Sequence, residues 1–330
     1  MIYNYSFIVI FIAACLDYLI GDPWNWPHPV KVMGWIITYY TQIIFKLSKH
    51  YRENFPKLIL RFAGILLTIT LVFGSGVISW LIVQALRINF VPFPLLTVIL
   101  ESILLASCFA GKSLNIAAKD VLQPVLSGNL IQGRQKLSLY VGRDTESLST
   151  SEIFRAVLET VTENATDGVI APLFYALVGA IIPNLGSIPL TFAYKAASTL
   201  DSMVGYREAP YTDLGWFSAK LEDVLTWLPC RLNVLTIAFL SGKPLYVYRI
   251  CQRDAVKDPS PNAGWSECAY AATLGVQMGG ANSYKGVVKH KPLLGEPTHP
   301  ITVETIDRAL QLTRYCFLIW LGLFFIAQYI

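Results

Sequence analysis

The chain has 330 residues, of which 54% are hydrophobic and 15% charged, and its mean hydropathy is +0.49. Soluble domains carry about a quarter of charged residues, so this composition excludes an ordinary soluble domain. Together with several long apolar runs, it predicts an all-α integral membrane protein with several transmembrane or re-entrant helices and polar cytoplasmic loops, in one domain over residues 1–330. The net charge of +4 is modest; it suits loops that rest on an anionic membrane face and does not indicate nucleic-acid binding.

The first third of the chain contains three apolar runs. The run 5–20 has neither a basic segment before it nor a small-residue cleavage site, which favours a retained helix over a cleaved signal. Residues 31–49 are predicted to form an amphipathic helix in the membrane interface. The runs 62–83 and 91–110 are each long enough to span a bilayer. Glu101 lies in the second of these, where a carboxylate is costly and is expected to face protein or a cavity.

The rest of the chain alternates polar and apolar segments. Residues 111–168 are predicted to be a polar, helix-prone loop. The stretch 169–200 consists of two short apolar pieces separated by Pro-Asn-Leu-Gly, a pattern that predicts a hairpin entering the membrane and returning. The run 224–240 is apolar but contains a proline and an arginine, 241–314 is polar, and 315–330 is a short apolar run.

Positive charge predicts the orientation. Lysine and arginine are concentrated in the segments 31–61, 111–155 and 241–314, and such segments stay preferentially in the cytoplasm. A simple crossing by 224–240 would put the third basic segment outside, so this run is expected to be re-entrant or shallow. This charge pattern predicts a multi-pass protein of the cell inner membrane whose polar tracts share the cytoplasmic side.

The most informative tract is Glu-Thr-Val-Thr-Glu-Asn-Ala-Thr-Asp-Gly, which begins at Glu159 and directly precedes an apolar run. If it is helical, Glu159, Glu163 and Asp167 lie on one stripe, with Arg155 one turn earlier. Like charges at this spacing repel. Arg155 can neutralise one of them, and a divalent cation or a cationic substrate the others. The alternative is a solvated polar face at the membrane surface; the interleaved Asn164 and the glycine at the end of the tract favour a site.

Other polar residues at the ends of apolar runs complete a candidate site on the predicted cytoplasmic side. Carboxylates hold Mg²⁺, whereas arginine and lysine hold phosphate oxygens, so the mixture suits anionic ligands bound partly through a metal. The sequence contains no GxxxxGK[ST], HExxH or GxSxG motif. The further candidates are Asp22, His28, Arg143, Lys195, Asp201, Arg207 and Asn262.

For two of these candidates, a structural role is an alternative to a role in binding. A single histidine such as His28 is typical of a structural or interface residue. Lys195 lies in an apolar stretch, where its ammonium must form an ion pair, extend to the interface or bind a ligand. We expect the acidic stripe to face a common cytoplasmic pocket with Asp201.

Several distinctive tracts follow one another along the chain, among them DYLIGDP (17–23), VGRDT (141–145), ETVTENATDG (159–168), TLDSMVGY (199–206) and SPNAGW (260–265). Taken in this order, they resemble the CobD/CbiB family of cobalamin biosynthesis, the adenosylcobinamide-phosphate synthases. Small departures occur at Ser198, at Glu222-Asp223 and at Asp258, where the family usually has Asn, a paired Asp and His, respectively.

The resemblance implies an ATP-dependent carbon–nitrogen ligase with Mg²⁺ as its metal ion. It would join adenosylcobyric acid to the amine of aminopropanol or its phosphate, through an acyl phosphate, and contact with neighbouring enzymes of the cobalamin pathway is a further expectation. Within that reaction we assign catalytic roles to five residues, of which Glu163, Asp167 and Asp201 also bind the metal ion; the other two are Glu159 and Asn164. The predicted substrate-binding residues are Asp22, His28, Arg143, Lys195, Arg207 and Asn262.

Two other classes stay open at this point. A non-catalytic membrane protein of the distantly related AmpE type would keep the fold for signalling or binding, but that branch is expected to lose the dense polar tracts present here. A transporter using the intramembrane residues Asp17, Glu101 and Lys195 would be expected to contain an inverted repeat, and the sequence contains none.

Overall fold

The computed structural model of the chain describes residues 6–21, 28–50 and 57–327. Its elements are α1 (Ser6–Leu19), α2 (Pro29–His50), α3 (Lys57–Asn89), α4 (Pro94–Ala106), α5 (Gly111–Leu126), α6 (Leu130–Leu137), α7 (Thr150–Asn164), a π-helix (Ala165–Ile170), α8 (Ala171–Ile181), α9 (Ser187–Val204), α10 (Trp216–Leu240), α11 (Pro244–Asp254), a 3₁₀-helix (Ala255–Lys257), α12 (Ala263–Leu274), β1 (Gln277–Tyr284), β2 (Val287–Gly295) and α13 (Val303–Ala327).

Four helical segments in the described part of the chain are long and apolar enough to cross a membrane. They are α3, the continuous stretch Thr150–Ile181, α10 and α13, and α4 with α5 would make a fifth if the two form one broken span. A bilayer core needs about 20 apolar helical residues, and α3 alone has 33. The protein is therefore an all-α, multi-pass membrane protein, as its composition predicted.

Two helices differ from the expectation. Helix α10 runs unbroken for 25 residues through Pro229, so the run expected to be re-entrant or shallow is long enough to cross. Helix α13 begins at Val303, well before the predicted start at residue 315, because the polar residues there form the first turns of the same helix. The predicted hairpin is present as α8 and α9, which pack on each other.

The described chain divides into two compact units, each built from two segments. The first unit consists of the residues up to Ala110 together with Ala171–Leu225, and the second of Gly111–Ile170 together with the residues from Thr226 onward. In the first unit α9 packs against α2, α3 and α8, and α1 packs against α4. In the second unit α7 packs against α5, α12 and α13. The prediction of a single membrane domain is not tested by this division.

Glu101 lies in the first unit, and the prediction that it faces protein or a cavity is confirmed. Its carboxylate accepts two hydrogen bonds from Arg87, at 2.8 and 3.1 Å, and its side chain is almost fully buried. Both residues line a cavity of about 500 Å³ near the turn between α8 and α9. Pairing with a guanidinium explains how a carboxylate is tolerated within an apolar helix.

A two-stranded antiparallel hairpin in the second unit is the element that sequence reasoning missed. Its turn consists of Lys285 and Gly286, whose φ angles of 52° and 78° suit the tight turns that join such strands. A bulge lies between Met278 and Gly280, and Gly279 there has a φ of 86°. A Cβ atom on Gly279 would lie 1.9 Å from the Pro292 carbonyl oxygen, so only glycine fits. The hairpin packs against α11 and α12.

Candidate functional site

Helix α7 carries the acidic stripe, and a capping box defines where it begins. The Ser149 N–H donates to the Glu152 carboxylate at 2.7 Å, and the Glu152 N–H donates to Ser149 Oγ at 3.4 Å. This reciprocal pair satisfies two of the N–H groups that a helix start leaves without an intrahelical partner. The cap fixes the first turn, and thereby the direction of Glu159 and Glu163 in the later turns.

The Glu159 carboxylate is buried and held by three donors. One oxygen accepts a hydrogen bond from Arg143, and the other is paired with Arg155 at 3.3 Å. That second oxygen also accepts a hydrogen bond from the Gly279 N–H at 2.9 Å. The prediction that Arg155 neutralises one charge of the stripe is confirmed. Because both oxygens are occupied, Glu159 acts in this structure as the centre of an ion-pair network.

The same two arginines connect α7 to strand β1. Arg143 and Arg155 both donate to the side-chain oxygen of Asn282, at 2.9 and 3.0 Å. Arg155 also donates to the carbonyl oxygens of Gly279 and, at 3.1 Å, Ala281. Buried guanidinium groups need this many acceptors to offset their desolvation. The network therefore holds the hairpin against the stripe, although the two are more than 110 residues apart in sequence.

Asp144 fixes the far end of the hairpin. Its carboxylate accepts hydrogen bonds from Ser283 Oγ at 2.6 Å and from the N–H groups of Lys285 and Gly286, at 2.9 and 2.8 Å. The Asp144 N–H donates in turn to the Ser283 carbonyl at 2.8 Å. The Ser283 hydroxyl, followed by the backbone donors, holds the pKa of Asp144 below its ordinary value. The loop that contains Arg143 is thus attached to the hairpin at two neighbouring points.

The stripe changes its geometry after Asn164, where the π-helix begins. Ser266 of α12 donates its hydroxyl to the Thr162 carbonyl at 2.6 Å and lies 2.8 Å from the Thr166 hydroxyl. Asn233 of α10 donates to the same Thr166 hydroxyl at 3.1 Å. A π-helix has a wider turn than an α-helix and is frequent at functional sites. A regular α-helical stripe therefore holds as far as the end of α7, and these side chains support the wider turn that follows.

The other predicted residues of the stripe keep some contact with solvent. Glu163 is half-buried in the last turn of α7, and Asp167 is half-buried within the π-helix. Asn164 is exposed, and its side-chain amide donates to the Thr160 carbonyl at 2.9 Å. Of the three carboxylate residues, Glu159 is thus buried, whereas Glu163 and Asp167 are each only partly buried.

Sequence reasoning missed a second buried carboxylate, Glu267 in α12. Its side chain is completely buried, and neither oxygen accepts a hydrogen bond from any residue that the structure describes. Lys291 of β2 lies 3.9 Å away. Burial raises the pKa of Glu267 well above its ordinary value, and Glu267 is the main cause of a raised pKa at Lys291. The available signal was a single carboxylate directly before the apolar run Cys-Ala-Tyr-Ala-Ala.

Asn262 is buried at the start of α12, where α10 holds its backbone. Its carbonyl accepts hydrogen bonds from the Ser266 N–H at 3.0 Å and from Cys230 Sγ at 3.3 Å. Arg231, next in α10, donates to the Pro261 carbonyl at 2.9 Å and lies over the Trp265 ring, 4.4 Å from its centre. Contacts with α10 thus help to hold the SPNAGW tract in place.

Four predicted residues lie in the first unit. His28 precedes α2, and its Nδ1 accepts a hydrogen bond from the Val30 N–H at 3.3 Å. Lys195 and Asp201 are half-buried on α9, and Arg207 is exposed in the turn after it. The prediction for Asp22 lies outside the described residues.

Glycine is required directly after α9. The Gly205 N–H donates to the Asp201 carbonyl at 2.8 Å, and a Cβ atom on Gly205 would lie 2.1 Å from the Asp201 carboxylate. The missing side chain therefore lets the carboxylate lie directly against the backbone.

The donor chemistry of the stripe fits Mg²⁺. Within the described ranges, no three His, Cys, Asp or Glu side chains are grouped so that they could hold a metal ion by themselves. Mg²⁺ is usually held by one or two carboxylates together with substrate phosphates and water, rather than by a cage of protein ligands. The carboxylates of the partly buried residues Glu163 and Asp167 are of the type that such a site needs.

The fold and these contacts define a multi-pass α-helical membrane protein with a charged, oxygen-rich cluster built on α7, α12 and a β-hairpin. The family model described as CobD/Cbib protein matches residues 10–313. This chain therefore belongs to the CobD/CbiB family, and its membership supports a role as an enzyme in cobalamin biosynthesis. No solved structure matches it.

Three relatives illustrate the similarity. The cobalamin biosynthesis protein CobD of Synechocystis sp. is 52% identical over 307 residues, which cover 93% of this chain and 87% of the relative. The CobD protein of Halalkalibacterium halodurans is 40% identical over 308 residues, 92% of this chain and 90% of the relative. The cobalamin biosynthesis protein CbiB of Salmonella arizonae is 38% identical over 322 residues, 96% of each chain.

Proposed function

We propose that this protein is an ATP-dependent amide ligase that joins adenosylcobyric acid to aminopropanol or its phosphate, giving adenosylcobinamide or its phosphate. Membership of the family supports a step in cobalamin biosynthesis. The observation that carries the proposal is the acidic stripe. Its first carboxylate, Glu159, is held by two arginines, while Glu163 and Asp167 belong to residues that are only partly buried. An AmpE-type signalling or binding role remains the alternative.

The chemistry requires activation of the acid. A carboxylate does not acylate an amine unaided, because its oxygen is a poor leaving group. Transfer of the terminal phosphoryl group of ATP to the propionate carboxylate of adenosylcobyric acid would give an acyl phosphate and release ADP. The amine nitrogen then attacks the acyl carbon, the new C–N bond forms, the C–O bond to phosphate breaks, and phosphate leaves with the loss of one proton from nitrogen.

Positioning and charge neutralisation are the main contributions a protein makes to phosphoryl transfer. We keep Glu163, Asp167 and Asp201 as the proposed Mg²⁺ residues. Because no three such side chains are grouped among the described residues, these carboxylates would hold the ion together with substrate phosphates and water, and the bound ion would neutralise phosphate charge. One of these carboxylates is also suited to take the proton from the attacking nitrogen. We also retain the predicted catalytic role of Asn164, whose side chain is exposed.

The remaining residues bind substrates or position the stripe. Lys195 and Arg207 are proposed to hold phosphate groups, and Asp22, His28 and Asn262 to contact the substrates. Glu159 and Arg143 are proposed to contribute by fixing α7 against the hairpin. We place the protein in the inner membrane with its active site on the cytoplasmic side, because ATP is cytoplasmic.

The test is a reconstituted reaction. The full-length protein in lipid nanodiscs is incubated with adenosylcobyric acid, ATP, Mg²⁺ and either aminopropanol or its phosphate, and product and ADP are quantified by chromatography and mass spectrometry. The proposal requires amide product with one ADP released for each amide formed. A folded protein that forms no amide with either amine would favour the AmpE-type alternative. Product that forms without ATP would contradict the acyl phosphate route.

A further inference from the structure

The cavity beside the Arg87–Glu101 ion pair lies wholly within the first unit, and the proposed reaction makes no use of it. It has a volume of about 500 Å³. Its walls combine the ion pair with apolar side chains of the turn between α3 and α4 and of the end of α8, among them Phe90 and Ile181. Apolar walls with a few polar groups are typical of a site for a small molecule.

The guanidinium of Arg87 is held in place and keeps hydrogen-bond donors for a second acceptor. Its Nε and Nη2 donate to the Glu101 carboxylate, whereas Nη1 donates to no residue that the structure describes, and 39% of the side chain is exposed. An arginine has five N–H donors, and phosphate oxygens suit their planar arrangement. Helix α4 begins at Pro94 and α9 directly after Gly186, and both residues line the cavity. Because the start of a helix carries partial positive charge, an anion is favoured here although Glu101 neutralises Arg87.

An apolar groove of about 530 Å³ borders the same turn between α8 and α9. Its walls include Ile69 and Trp80 of α3 together with Pro189 and Ala193 of α9. Trp80 Nε1 donates to the Asn184 carbonyl at 3.3 Å, and Asn184 also lines the cavity. The charged cavity and the apolar groove are therefore direct neighbours within the first unit.

The dimensions of the pair suit a lipid. At 3.6 residues per turn, Ile69, Trp80 and Arg87 lie on one face of α3. The groove between Ile69 and Trp80 is about 16 Å long at 1.5 Å per residue, and the hydrocarbon of one membrane leaflet is about 15 Å thick. Arg87 lies about two helical turns beyond Trp80, close to the end of α3 at Asn89. The groove thus spans the depth of one leaflet, and the guanidinium lies at the level of the headgroups.

We propose that the cavity and the groove bind one phospholipid molecule, with its phosphate at Arg87 and an acyl chain along α3. A phospholipid places an anion and a long apolar chain at these two neighbouring positions at once. Only 22% of the most apolar stretch of α3 is buried inside the protein, so the membrane is the surrounding from which a ligand enters the groove. The turn between α3 and α4 is expected on the non-cytoplasmic side, which assigns the lipid to the outer leaflet.

The experiment counts bound lipid by native mass spectrometry. Full-length protein in detergent is titrated with phosphatidylglycerol, with diacylglycerol, which has the same chains without phosphate, and with glycerol 3-phosphate, which lacks the chains. We expect one tightly bound phosphatidylglycerol for each chain, much weaker binding of diacylglycerol, and no displacement by glycerol 3-phosphate. Arg87→Gln should raise the Kd for phosphatidylglycerol roughly 10- to 100-fold, the loss expected for hydrogen bonds to a charged group. The control Arg61→Gln, at an arginine of the same helix that pairs with Asp213, should bind as the wild type does.

A matched pair of variants tests the groove separately. Val77→Trp fills the groove and should raise the Kd roughly tenfold, because about two methylene groups lose their burial. Ile78→Trp places the same ring at the neighbouring exposed position of α3, outside the groove, and should have no effect.

The charge of the pair can also be removed as a whole. If Arg87→Gln does not fold because Glu101 stays buried with fewer donors, the double variant Arg87→Gln with Glu101→Gln should show the same loss of lipid binding. The proposal is overturned if diacylglycerol binds as tightly as phosphatidylglycerol, or if folded Arg87 and Val77 variants bind lipid as the wild type does. Displacement of the lipid by glycerol 3-phosphate would identify a site for a free anion and would also overturn it.

Discussion

The guanidinium of Arg143 donates a hydrogen bond to the carboxylate of Glu159, and this buried ion pair joins the segment before α7 to the middle of that helix. Asn282 accepts from the same guanidinium, so the pair also attaches the hairpin. Three separate stretches of sequence thus depend on one buried pair of opposite charges.

Removal of one partner of this pair should destabilise the protein strongly. Arg143→Met leaves the Glu159 charge buried with fewer donors, and such losses are about 3–5 kcal/mol. We expect a clear fall in the apparent Tm of the purified protein, measured by intrinsic fluorescence in detergent. The control Arg308→Met removes an exposed arginine of α13 and should leave Tm nearly unchanged. A double variant Arg143→Met with Glu159→Gln that is no more stable than the sum of the single losses would contradict direct coupling.

The carboxylates of Glu163 and Asp167 should be essential for ligation and dispensable for folding. Glu163→Gln and Asp167→Asn keep the size of each side chain and remove its charge, so binding of a cation should be lost. We expect product formation to fall below detection, while expression level and size-exclusion profile match the wild type. The control is Glu304→Gln, at an exposed glutamate of α13. Activity near the wild-type level in both folded variants would show that the stripe is a solvated surface.

Lys195 should help to bind a substrate that carries phosphate. Lys195 is half-buried on the largely apolar helix α9, and a charged side chain costs roughly 2.5–3.5 kcal/mol at a helix centre on insertion scales, which makes it a candidate for a binding role. Lys195→Met should raise the KM for ATP or for aminopropanol phosphate without lowering the yield of folded protein. Lys220→Met, at an exposed lysine of α10, should leave KM unchanged. Full activity combined with a lower Tm in Lys195→Met would identify a structural ion-pair partner instead.

The orientation of the protein in the membrane can be tested by the accessibility of introduced cysteines. Cysteines introduced at Lys31, Lys136 and Lys289 should resist an impermeant maleimide in intact cells and react after permeabilisation, because these segments are expected in the cytoplasm. A cysteine at Val91, between α3 and α4, should react without permeabilisation. Each variant is compared with the parent chain, whose native cysteines are free thiols and mostly buried. Labelling of any of the three cytoplasmic positions in intact cells would contradict the orientation.

The Asp144 contacts should make stability depend on pH in the acid range. Hydrogen bonds to Ser283 and to the turn hold the pKa of Asp144 below its ordinary value. A group with a depressed folded pKa stabilises the protein above its unfolded pKa, and this contribution is lost as the pH falls through the folded pKa. Asp144→Asn should therefore lower Tm at pH 7 and show a weaker decline than the wild type below about pH 4. Parallel curves for the two proteins would rule out this contribution.

Composition and hydrophobic runs were enough to predict the membrane class and most helices. Because a bilayer requires long apolar helices, α3 and the hairpin of α8 and α9 could be located from the runs alone. The predicted start of α13 was too late, because the charged residues around Arg308 lower the hydropathy of its first turns. The β-hairpin was missed because Lys285-Gly286 is a weaker turn signal than Asn-Gly and its strands are polar.

Local spacing alone determined one contact of the site, the pairing of Arg155 with Glu159 one helical turn away. Only the tertiary structure decided which carboxylates are buried and which are held by arginines. Glu159 is held because the Gly279 N–H and the Arg143 guanidinium, which also donates to Asn282, reach it from outside α7. Glu267 accepts no hydrogen bond from the described residues, because α12 packs it into the interior beside α7. Burial and long-range hydrogen bonds depend on how elements pack, and no spacing within one segment encodes them.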